Sequence, residues 1–580
     1  MDTYLKKLQQ KPLYILIGIF IIALIFRMYQ LGSVPHELHN DEVANAYAAR
    51  YIIENGHDIY GNTWPLLYFD KFNDYPPVIP MYFSGFGTYI FGNNDFGARS
   101  LLAIVGALVV FPAYYLAFYL FKRKNIALIT ATLFALGPWH IVLSRLSAEG
   151  ILALTVYLAG LAMLFRAMQK KHTGLLVGAG VVLLSTYLMY PSFRIIVPLT
   201  LFPGVVVAYF HQIRDKKFLA ITALFTIIAF AMTLSISSTV WGKGRFEQTS
   251  LVSPVSGIGL KIQTLIFNED NILVARVFNN KIIGYGREFI FQYSRYFSFN
   301  YLFGEDGIPH IYSVPYMGLL HLSIIPFILL AAFGFIQKRN KKTDHVLFLY
   351  LLYILLISPI PAALTVLDVP SIHRALLTPA LVIFIAAYGI NGILDMKWLR
   401  IPLITPFVII FLGETIFFSH QYFQNFSYYN TIYRTNGNTE AVKYAFDHRN
   451  KYDQIYLTNQ EGWLPIFYLF YANDYSAEYT GQFKYNLRLA RSGNVNFPEE
   501  ECPTVNILNS SIKAGELTAS RKTLVIEPIS CKSFDTPIGK SMLTRIKTIR
   551  RLDETDVFDI VEINPQFDES LLRQEQLLAN

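Results

Sequence analysis

The sequence has little charge and almost no cysteine. Of its 580 residues, 16% are charged and 53% are hydrophobic, whereas a soluble globular chain carries about 25% charged residues. The two cysteines, Cys502 and Cys531, lie near the C-terminus. Two cysteines are too few for a zinc site built from cysteine ligands. In an oxidising compartment the pair can form one disulfide, and two separate thiols are the alternative.

Several nucleotide-binding and metal-binding motifs are also missing. The sequence has no Walker loop, no dinucleotide-binding glycine pattern and no His-Glu-x-x-His motif, so it offers no recognisable site for a cytoplasmic nucleotide. The net charge of +8 does not indicate nucleic-acid binding, because lysine and arginine cluster in short loops between apolar segments. We therefore expect no nucleic-acid partner.

Long uncharged segments account for the shortage of charge. Examples are residues 174–193, 346–367 and 375–391. About 20 apolar residues cross the roughly 30 Å hydrocarbon core of a bilayer as a helix, so the pattern predicts a polytopic α-helical membrane protein. The first apolar segment, 13–26, follows three lysines, as in a signal sequence, but no small-residue cleavage site comes after it. We expect this segment to be retained as the first span.

The basic residues predict the topology. Lysine and arginine cluster in alternate loops between the apolar segments, and basic loops face the cytoplasm. This alternation predicts about eleven transmembrane helices within residues 1–420, with outer loops at 31–96 and 239–313. The N-terminus is then cytoplasmic, and residues 421–580 form an extracytoplasmic domain of a multi-pass protein of the cell membrane.

The tail, residues 421–580, differs in composition from the rest. Charge returns, and the long apolar runs end. The apolar pattern predicts a short amphipathic helix at 438–448 and several strands, and the tail is therefore expected to be a soluble α/β domain. The predicted strands are 454–457, 505–508, 523–526 and 558–563.

An acidic pair lies directly after the first span, within His39-Asn40-Asp41-Glu42. It opens a predicted helix, 41–55, that is too polar to lie in lipid. Asp41 is the candidate for proton transfer, and Asn45, one turn later on the same face, can orient it. The alternative is local: Asn40 is a good N-cap residue, and acidic side chains in a first helical turn are stabilised by the helix dipole.

Further candidates lie at the predicted outer ends of other spans. Glu149 follows Arg145 by four residues, and a local ion pair at a helix start is the alternative there. A single cation at a span end is often a lipid-headgroup anchor, whereas several at one face favour an anionic ligand such as phosphate. The candidate ligands are Lys71, Tyr75, Arg145, Tyr190, Arg194, His373 and Arg374.

In their order along residues 1–420, these motifs resemble the GT-C superfamily of integral membrane glycosyltransferases. The nearest branch is the bacterial relatives of protein O-mannosyltransferases and of the lipid A aminoarabinose transferase. The matching motifs are Asp41-Glu42, Tyr75-Pro76-Pro77, Arg145 with Glu149, Tyr190 to Arg194, and His373-Arg374. One departure concerns Tyr75, because many relatives carry a lysine directly before the two prolines; Lys71 is the candidate substitute.

The resemblance implies a function. The donor would be a sugar linked to a polyprenyl phosphate such as undecaprenyl phosphate, and the acceptor a hydroxyl of a protein, a glycolipid or a wall polysaccharide outside the membrane. Asp41, Glu42 and Glu149 would be the catalytic residues, with Asp41 as general base for one direct, inverting displacement. Arg194, Arg374 and Lys71 would stabilise the departing phosphate. No cofactor is required, although a divalent ion stays an open alternative.

Two other functions remain in view. A transporter or flippase of lipid-linked saccharides would use the same cations without chemistry. Transporters commonly have charged sites near the bilayer midplane and internal repeats. Here the spans are nearly free of charge at mid-depth and no internal repeat is visible, which argues against this function. The tail alternatively serves as a carbohydrate- or protein-binding module that selects the acceptor, and this is compatible with a transferase.

Overall fold

The fold is described from a computed structural model of the chain. The described residues are 12–68, 75–204, 206, 215–239, 242, 248–305, 307–337, 342–367, 369–394, 400–434, 437–459, 462–483, 489–514, 522–535 and 537–563. They form two compact units. The first, here called the helical unit, comprises the described residues of 1–31, 74–80 and 99–426. The second, the α/β unit, comprises those of 32–73, 81–98 and 427–580.

Helices make up most of the described chain. The first group is α1 (Pro12–Met28), α2 (Asn40–Asn55), α3 (Val78–Phe91), α4 (Asp95–Leu108), α5 (Val110–Phe121), α6 (Lys124–Ala135), α7 (Pro138–Arg145), α8 (Glu149–Lys170), α9 (Thr173–Ser185), α10 (Phe193–Leu201), α11 (Lys216–Ser238) and α12 (Ile258–Phe267). The second is α13 (Ile272–Phe278), α14 (Lys281–Arg295), α15 (Phe299–Phe303), α16 (Ile325–Gln337), α17 (Lys342–Ile357), α18 (Ile360–Ala363), α19 (Leu377–Leu394), α20 (Arg400–His420), α21 (Phe426–Tyr429), α22 (Asn438–His448), α23 (Leu464–Tyr471), α24 (Pro503–Ala514) and α25 (Pro537–Met542).

Many of these helices are suited to a bilayer. Within the described residues, six helices are long and apolar enough to cross a membrane, or seven if the bent pair α6 and α7 counts as one span. The six are Asp95–Phe121, Glu149–Lys170, Lys216–Ser238, Val346–Ala363, Leu377–Leu394 and Ile401–Tyr429. Shorter apolar helices, including α1, accompany them. The prediction of a polytopic helical membrane protein is therefore confirmed, while the count of eleven spans stays a prediction.

The bend between α6 and α7 has a local cause. The two helices meet at 50°, and Pro138 is the first residue of α7. Proline lacks a backbone N–H and obstructs the preceding helical turn, so it starts a helix well but cannot continue one. After this break α7 runs only to Arg145, four residues before α8 begins at Glu149.

A six-stranded sheet organises the α/β unit. Its strands are β1 (Gln454–Leu457), β2 (Arg491–Ser492), β3 (Val495–Asn496), β4 (Thr523–Pro528), β5 (Leu543–Arg550) and β6 (Asp556–Ile563). They lie in the order β2-β3-β1-β4-β6-β5. β1 pairs in parallel with β3 and β4, whereas β6 runs antiparallel to both β4 and β5.

The core of this unit contains residues from two distant parts of the sequence. Val43, Tyr47 and Tyr51 of α2 are fully buried in the same apolar cluster as Ile455 of β1 and Phe467 of α23. Burying a large apolar side chain contributes about 1.5–3 kcal/mol, so α2 is bound firmly into the core. The described residues of 32–73 and 81–98, nearly all within the predicted outer loop 31–96, thus fold with described residues of 427–580.

Most predicted elements of the tail are present. The helix at 438–448 is confirmed as α22, and the strands at 454–457, 523–526 and 558–563 lie within β1, β4 and β6. The strand predicted at 505–508 is wrong, because these residues belong to α24. Val505, Leu508 and Ile512 repeat with helical spacing, and Pro503 occupies the first helical position, where proline is favourable.

The two cysteines form a disulfide. Cys502 precedes α24 and Cys531 follows β4, and their Cα atoms are 5.3 Å apart. The cross-link joins residues 29 positions apart in the sequence. It therefore ties the start of α24 to the end of a central strand of the sheet.

Removal of this cross-link tests its contribution to stability. Closing a loop of this length stabilises a protein by about 3–4 kcal/mol through restriction of the unfolded chain. We expect Cys502→Ser to lower the melting temperature of the purified protein in the absence of reductant. Reductant should bring the wild type down to the level of the variant and leave the variant unchanged. Equal melting temperatures without reductant would contradict the cross-link.

Candidate functional site

The acidic pair lies at the start of α2, in the α/β unit. The N-cap residue is His39, one position before the predicted Asn40, and its Nδ1 accepts the backbone N–H of Asp41 at 3.4 Å. In return, Glu42 Oε2 accepts the backbone N–H of His39 at 2.9 Å. This reciprocal arrangement is a capping box, which satisfies two donors that a helix start otherwise leaves without partners.

The two carboxylates of the pair have different surroundings. The side chain of Glu42 is buried, and its Oε2 lies 2.8 Å from Nη2 of Arg434, whose side chain is 1% exposed. The side chain of Asp41, by contrast, is 62% exposed, with its Oδ2 3.9 Å from His39 Nδ1. Asn45, one turn later on α2, is buried. Only one carboxylate of the pair is therefore open to a soluble or lipid-borne substrate.

Glu37 adds a second buried carboxylate beside this pair. Its Oε2 accepts the backbone N–H of Gly437 at 2.9 Å, and its carbonyl oxygen accepts Nη2 of Arg434 at 3.2 Å. Burial raises the pKa of Glu37 to about 7, and the hydrogen bond from Gly437 opposes this shift. Glu37 is thus held in a site that favours its protonated form at neutral or lower pH.

Arg145 is fully buried in the helical unit. Its Nη1 donates to the carbonyl oxygens of Phe26 and Arg27, each at 3.0 Å, and its Nε donates to the Tyr422 hydroxyl at 3.3 Å. The guanidinium also lies over the ring of Phe423. The last carbonyls of a helix lack partners within it and attract cations, so these contacts hold the end of α1. A substrate-binding role for Arg145 stays a prediction.

The structure brings the start of α8 close to the backbone of His373. Glu149 begins α8, and a Cβ atom added to the next residue, Gly150, would lie 3.7 Å from the carbonyl oxygen of His373. The His373 ring packs edge-on against Tyr312, with centroids 4.5 Å apart. Because α7 ends at Arg145, Arg145 and Glu149 do not lie on one helix. The helix-start ion pair considered for them therefore lacks its expected geometry.

Arg374 and Arg194 are partly buried cations of the helical unit. Nη1 of Arg374 donates to Thr365 Oγ1 at 3.1 Å and to the carbonyl oxygen of Leu367. Nε of Arg194 donates to the carbonyl oxygen of Tyr187 at 3.3 Å. These bonds to the protein help to orient each guanidinium.

The remaining predicted ligands are less informative. Tyr190 and Tyr75 are both half-buried. Lys71, the candidate substitute for the lysine of the relatives, lies outside the described residues. Among the described histidines, cysteines and acidic residues, no group of three is arranged to hold a metal ion.

Sequence reasoning missed Arg434 and Glu37. Neither belongs to a local motif, and Arg434 is 392 positions from its partner Glu42. Arg27 was also missed, although the sequence does signal it. An arginine inside an otherwise apolar first span requires a polar partner. It donates to the carbonyl oxygens of Ala135 and Phe134 and to Nδ1 of His140.

Comparison with known proteins gives three findings. Residues 17–233 match the dolichyl-phosphate-mannose-protein mannosyltransferase family. A stretch of 121 residues is 31% identical to an undecaprenyl phosphate-alpha-4-amino-4-deoxy-L-arabinose arabinosyl transferase of Erwinia tasmaniensis, covering 20% of each protein. The chain thus spans a fifth of the curated relative that it matches. The crystal structure of ArnT from Cupriavidus metallidurans bound to undecaprenyl phosphate is similar over 94% of this chain and 97% of that one, with a TM-score of 0.51 and 12% identity.

These findings define a class. The structural likeness concerns the fold alone, which resembles that of ArnT. The family match over residues 17–233 and the match to the curated relative show similarity in sequence as well. The chain therefore resembles the GT-C superfamily of membrane glycosyltransferases, with protein mannosyltransferases and the aminoarabinose transferase as relatives, and the predicted resemblance is confirmed.

The buried Glu37 carboxyl generates a prediction about pH. Its pKa is about 7 in the folded protein and about 4.3 in an unfolded chain. The folded state therefore binds the proton more tightly, and the resulting stabilisation is present below pH 4 and lost as pH rises through 7. We expect the melting temperature of Glu37→Gln to fall less between pH 5 and 8 than that of the wild type. Parallel pH profiles of the two proteins would refute the raised pKa.

Proposed function

We propose that the chain is an integral membrane glycosyltransferase. It moves a sugar from a polyprenyl-phosphate donor to a hydroxyl acceptor on the outer side of the membrane. The names of its relatives support this choice of donor, because the curated relative is an undecaprenyl-phosphate-dependent arabinosyl transferase and ArnT was crystallised with undecaprenyl phosphate. The acceptor is a protein, a glycolipid or a wall polysaccharide.

The proposal depends most on the difference between Asp41 and Glu42. The Glu42 carboxylate is bonded to Arg434 and to the backbone N–H of His39, whereas the carboxylate of Asp41 is exposed. We assign Asp41 as the general base that removes the proton of the acceptor hydroxyl. The acceptor oxygen then attacks the anomeric carbon, the bond from that carbon to the phosphate oxygen breaks, and the polyprenyl phosphate leaves as an anion. A single displacement of this kind inverts the anomeric configuration.

Cations of the helical unit are proposed to bind the lipid phosphate. Arg194 and Arg374 are only partly buried, and their side chains donate to neutral oxygens, the Tyr187 carbonyl and the Thr365 hydroxyl. Arginine is suited to phosphate, because its planar group can bond two oxygens at once. Lys71 is a third candidate. Glu149, beside His373, is assigned to positioning of the sugar or the acceptor. Fixed cations of this kind make a metal cofactor unnecessary for the leaving group.

The experiment that tests the proposal uses purified protein and a panel of synthetic polyprenyl-phosphate sugars. We expect the wild type to release free polyprenyl phosphate from at least one donor in the presence of an acceptor. Asp41→Asn, which preserves the size of the side chain, should lower the rate by about 10²–10⁴-fold, the usual contribution of a general base. Mass spectrometry of the released lipid measures both rates.

Glu54→Gln is the matched control for this experiment. Glu54 is also an exposed acidic residue of α2, but it lies in the last turn and pairs with Arg50. This variant should keep the wild-type rate. Full activity of Asp41→Asn would eliminate Asp41 as the base, and lipid-linked sugar transport without transfer would favour a flippase.

The assignment of Arg374 generates a separate prediction. Hydrogen bonds to charged groups contribute about 1.5–3 kcal/mol, so Arg374→Met should lower kcat/KM for the lipid donor by about 10–100-fold. Arg276→Met, which removes an exposed arginine of α13, serves as control. Steady-state kinetics with varied donor measure the effect. An unchanged kcat/KM in Arg374→Met would remove this residue from the proposed phosphate site.

A further inference from the structure

We propose that Arg434 is a positioning residue for Asp41, so that the tail of the chain forms part of the catalytic machinery. This inference rests on the proposed function of Asp41. The sequence assigns Arg434 to a soluble tail and Asp41 to a loop near the first span, 393 positions away. In the structure both residues belong to the α/β unit. The contacts around the first turn of α2 connect them.

One nitrogen of Arg434 bridges the two sides of Asp41. Nη2 lies 2.8 Å from Glu42 Oε2, directly after Asp41, and 3.2 Å from the carbonyl oxygen of Glu37, before it. Glu42 Oε2 also accepts the backbone N–H of His39. The segment around Asp41 is therefore bonded to one guanidinium, through the backbone carbonyl of Glu37 before it and the side chain of Glu42 after it. Charge-assisted bonds of this kind are the stronger class of hydrogen bond in proteins.

Two more bonds attach the same segment to the tail. The backbone N–H of His36 donates to Ser427 Oγ at 2.9 Å, and the backbone N–H of Gly437 donates to Glu37 Oε2 at 2.9 Å. Gly437 has φ of +105° and stands directly before α22, and a side chain there would be strained. Ser427, Arg434 and Gly437 thus hold the segment that leads into α2 at several points.

Arg434 also controls the charge beside Asp41. Glu42 is buried, and a buried carboxylate needs a partner of opposite charge because its desolvation is unfavourable. Without Arg434, Glu42 must move, take up a proton or remain as an uncompensated charge next to Asp41. Each outcome changes the position or the ionisation of Asp41. The titratable or charged groups around this turn are His39, Glu37, Glu42 and Arg434. Asp95, Glu440 and Lys443 also act on Glu37 electrostatically.

The experiment compares Arg434→Met with variants of the same pair. We expect Arg434→Met to lower kcat for sugar transfer by about 100-fold, the effect of misplacing a reacting group by roughly 1 Å, while KM for the lipid donor stays near the wild-type value. Combining it with Glu42→Gln should restore part of the lost kcat, because no buried charge then remains uncompensated. Arg434→Lys should retain intermediate kcat, since it keeps the charge but cannot bond both oxygens in the same geometry.

Arg545→Met is the matched control. Arg545 forms another arginine–carboxylate pair of the α/β unit, with its Nη2 2.9 Å from Asp559 Oδ2. A merely structural role for Arg434 predicts that both variants lose thermal stability while folded enzyme keeps its kcat. The positioning role predicts that only Arg434→Met loses kcat and that only the change at Glu42 restores it. A wild-type kcat in folded Arg434→Met would overturn the inference.

Hydrogen exchange keeps the inference testable if transfer cannot be measured. Arg434→Met should accelerate amide exchange in residues 38–46, and Arg545→Met should not. Unchanged exchange in this segment would overturn the inference without reference to catalysis. Conversely, full transfer by Asp41→Asn would refute the proposed base while leaving the exchange result unaffected, so failure of the function and failure of the inference are distinguishable.

Discussion

The buried ion pair between Glu42 and Arg434 is the interaction on which the proposed site depends. A carboxylate inside an apolar core is stable only with a partner, and removing one member of such a pair commonly costs about 3–5 kcal/mol. Because the two residues are 392 positions apart, the pair forms only when the segment after α1 and the tail fold into one unit. The packing of α2 against the sheet and the exposure of Asp41 follow from that shared folding.

Local patterns predicted a large part of the fold, and their failures have physical causes. The helix at 438–448 and three of four proposed strands agree with the structure. The segment 505–508 failed because four residues of mixed character fit a strand and a helix equally well. The N-cap shifted from Asn40 to His39 because Glu42 completes a capping box with His39, a bond that propensity alone does not reveal.

The site was less predictable than the fold, since a sequence shows charges but not their partners. Arg145 looked like an anion ligand, yet its guanidinium is bonded to the last carbonyls of α1 and to Tyr422. Backbone carbonyls at helix ends also attract cations, and a sequence does not show which helix ends meet. The approach of α8 to His373 and the pairing of Arg434 with Glu42 are likewise long-range contacts, invisible to any local pattern.

The difference in burial between the adjacent carboxylates of Asp41 and Glu42 also bears on the stereochemistry of sugar transfer. A retaining double displacement needs one carboxylate as nucleophile and a second as acid and base, and both must reach the sugar. Glu42 is buried, holds the helix cap and is neutralised by Arg434, so it is unsuited to either task. Asp41 alone remains of the pair. One exposed base with a lipid phosphate as leaving group fits a single displacement, and this is the physical ground for expecting inversion rather than retention.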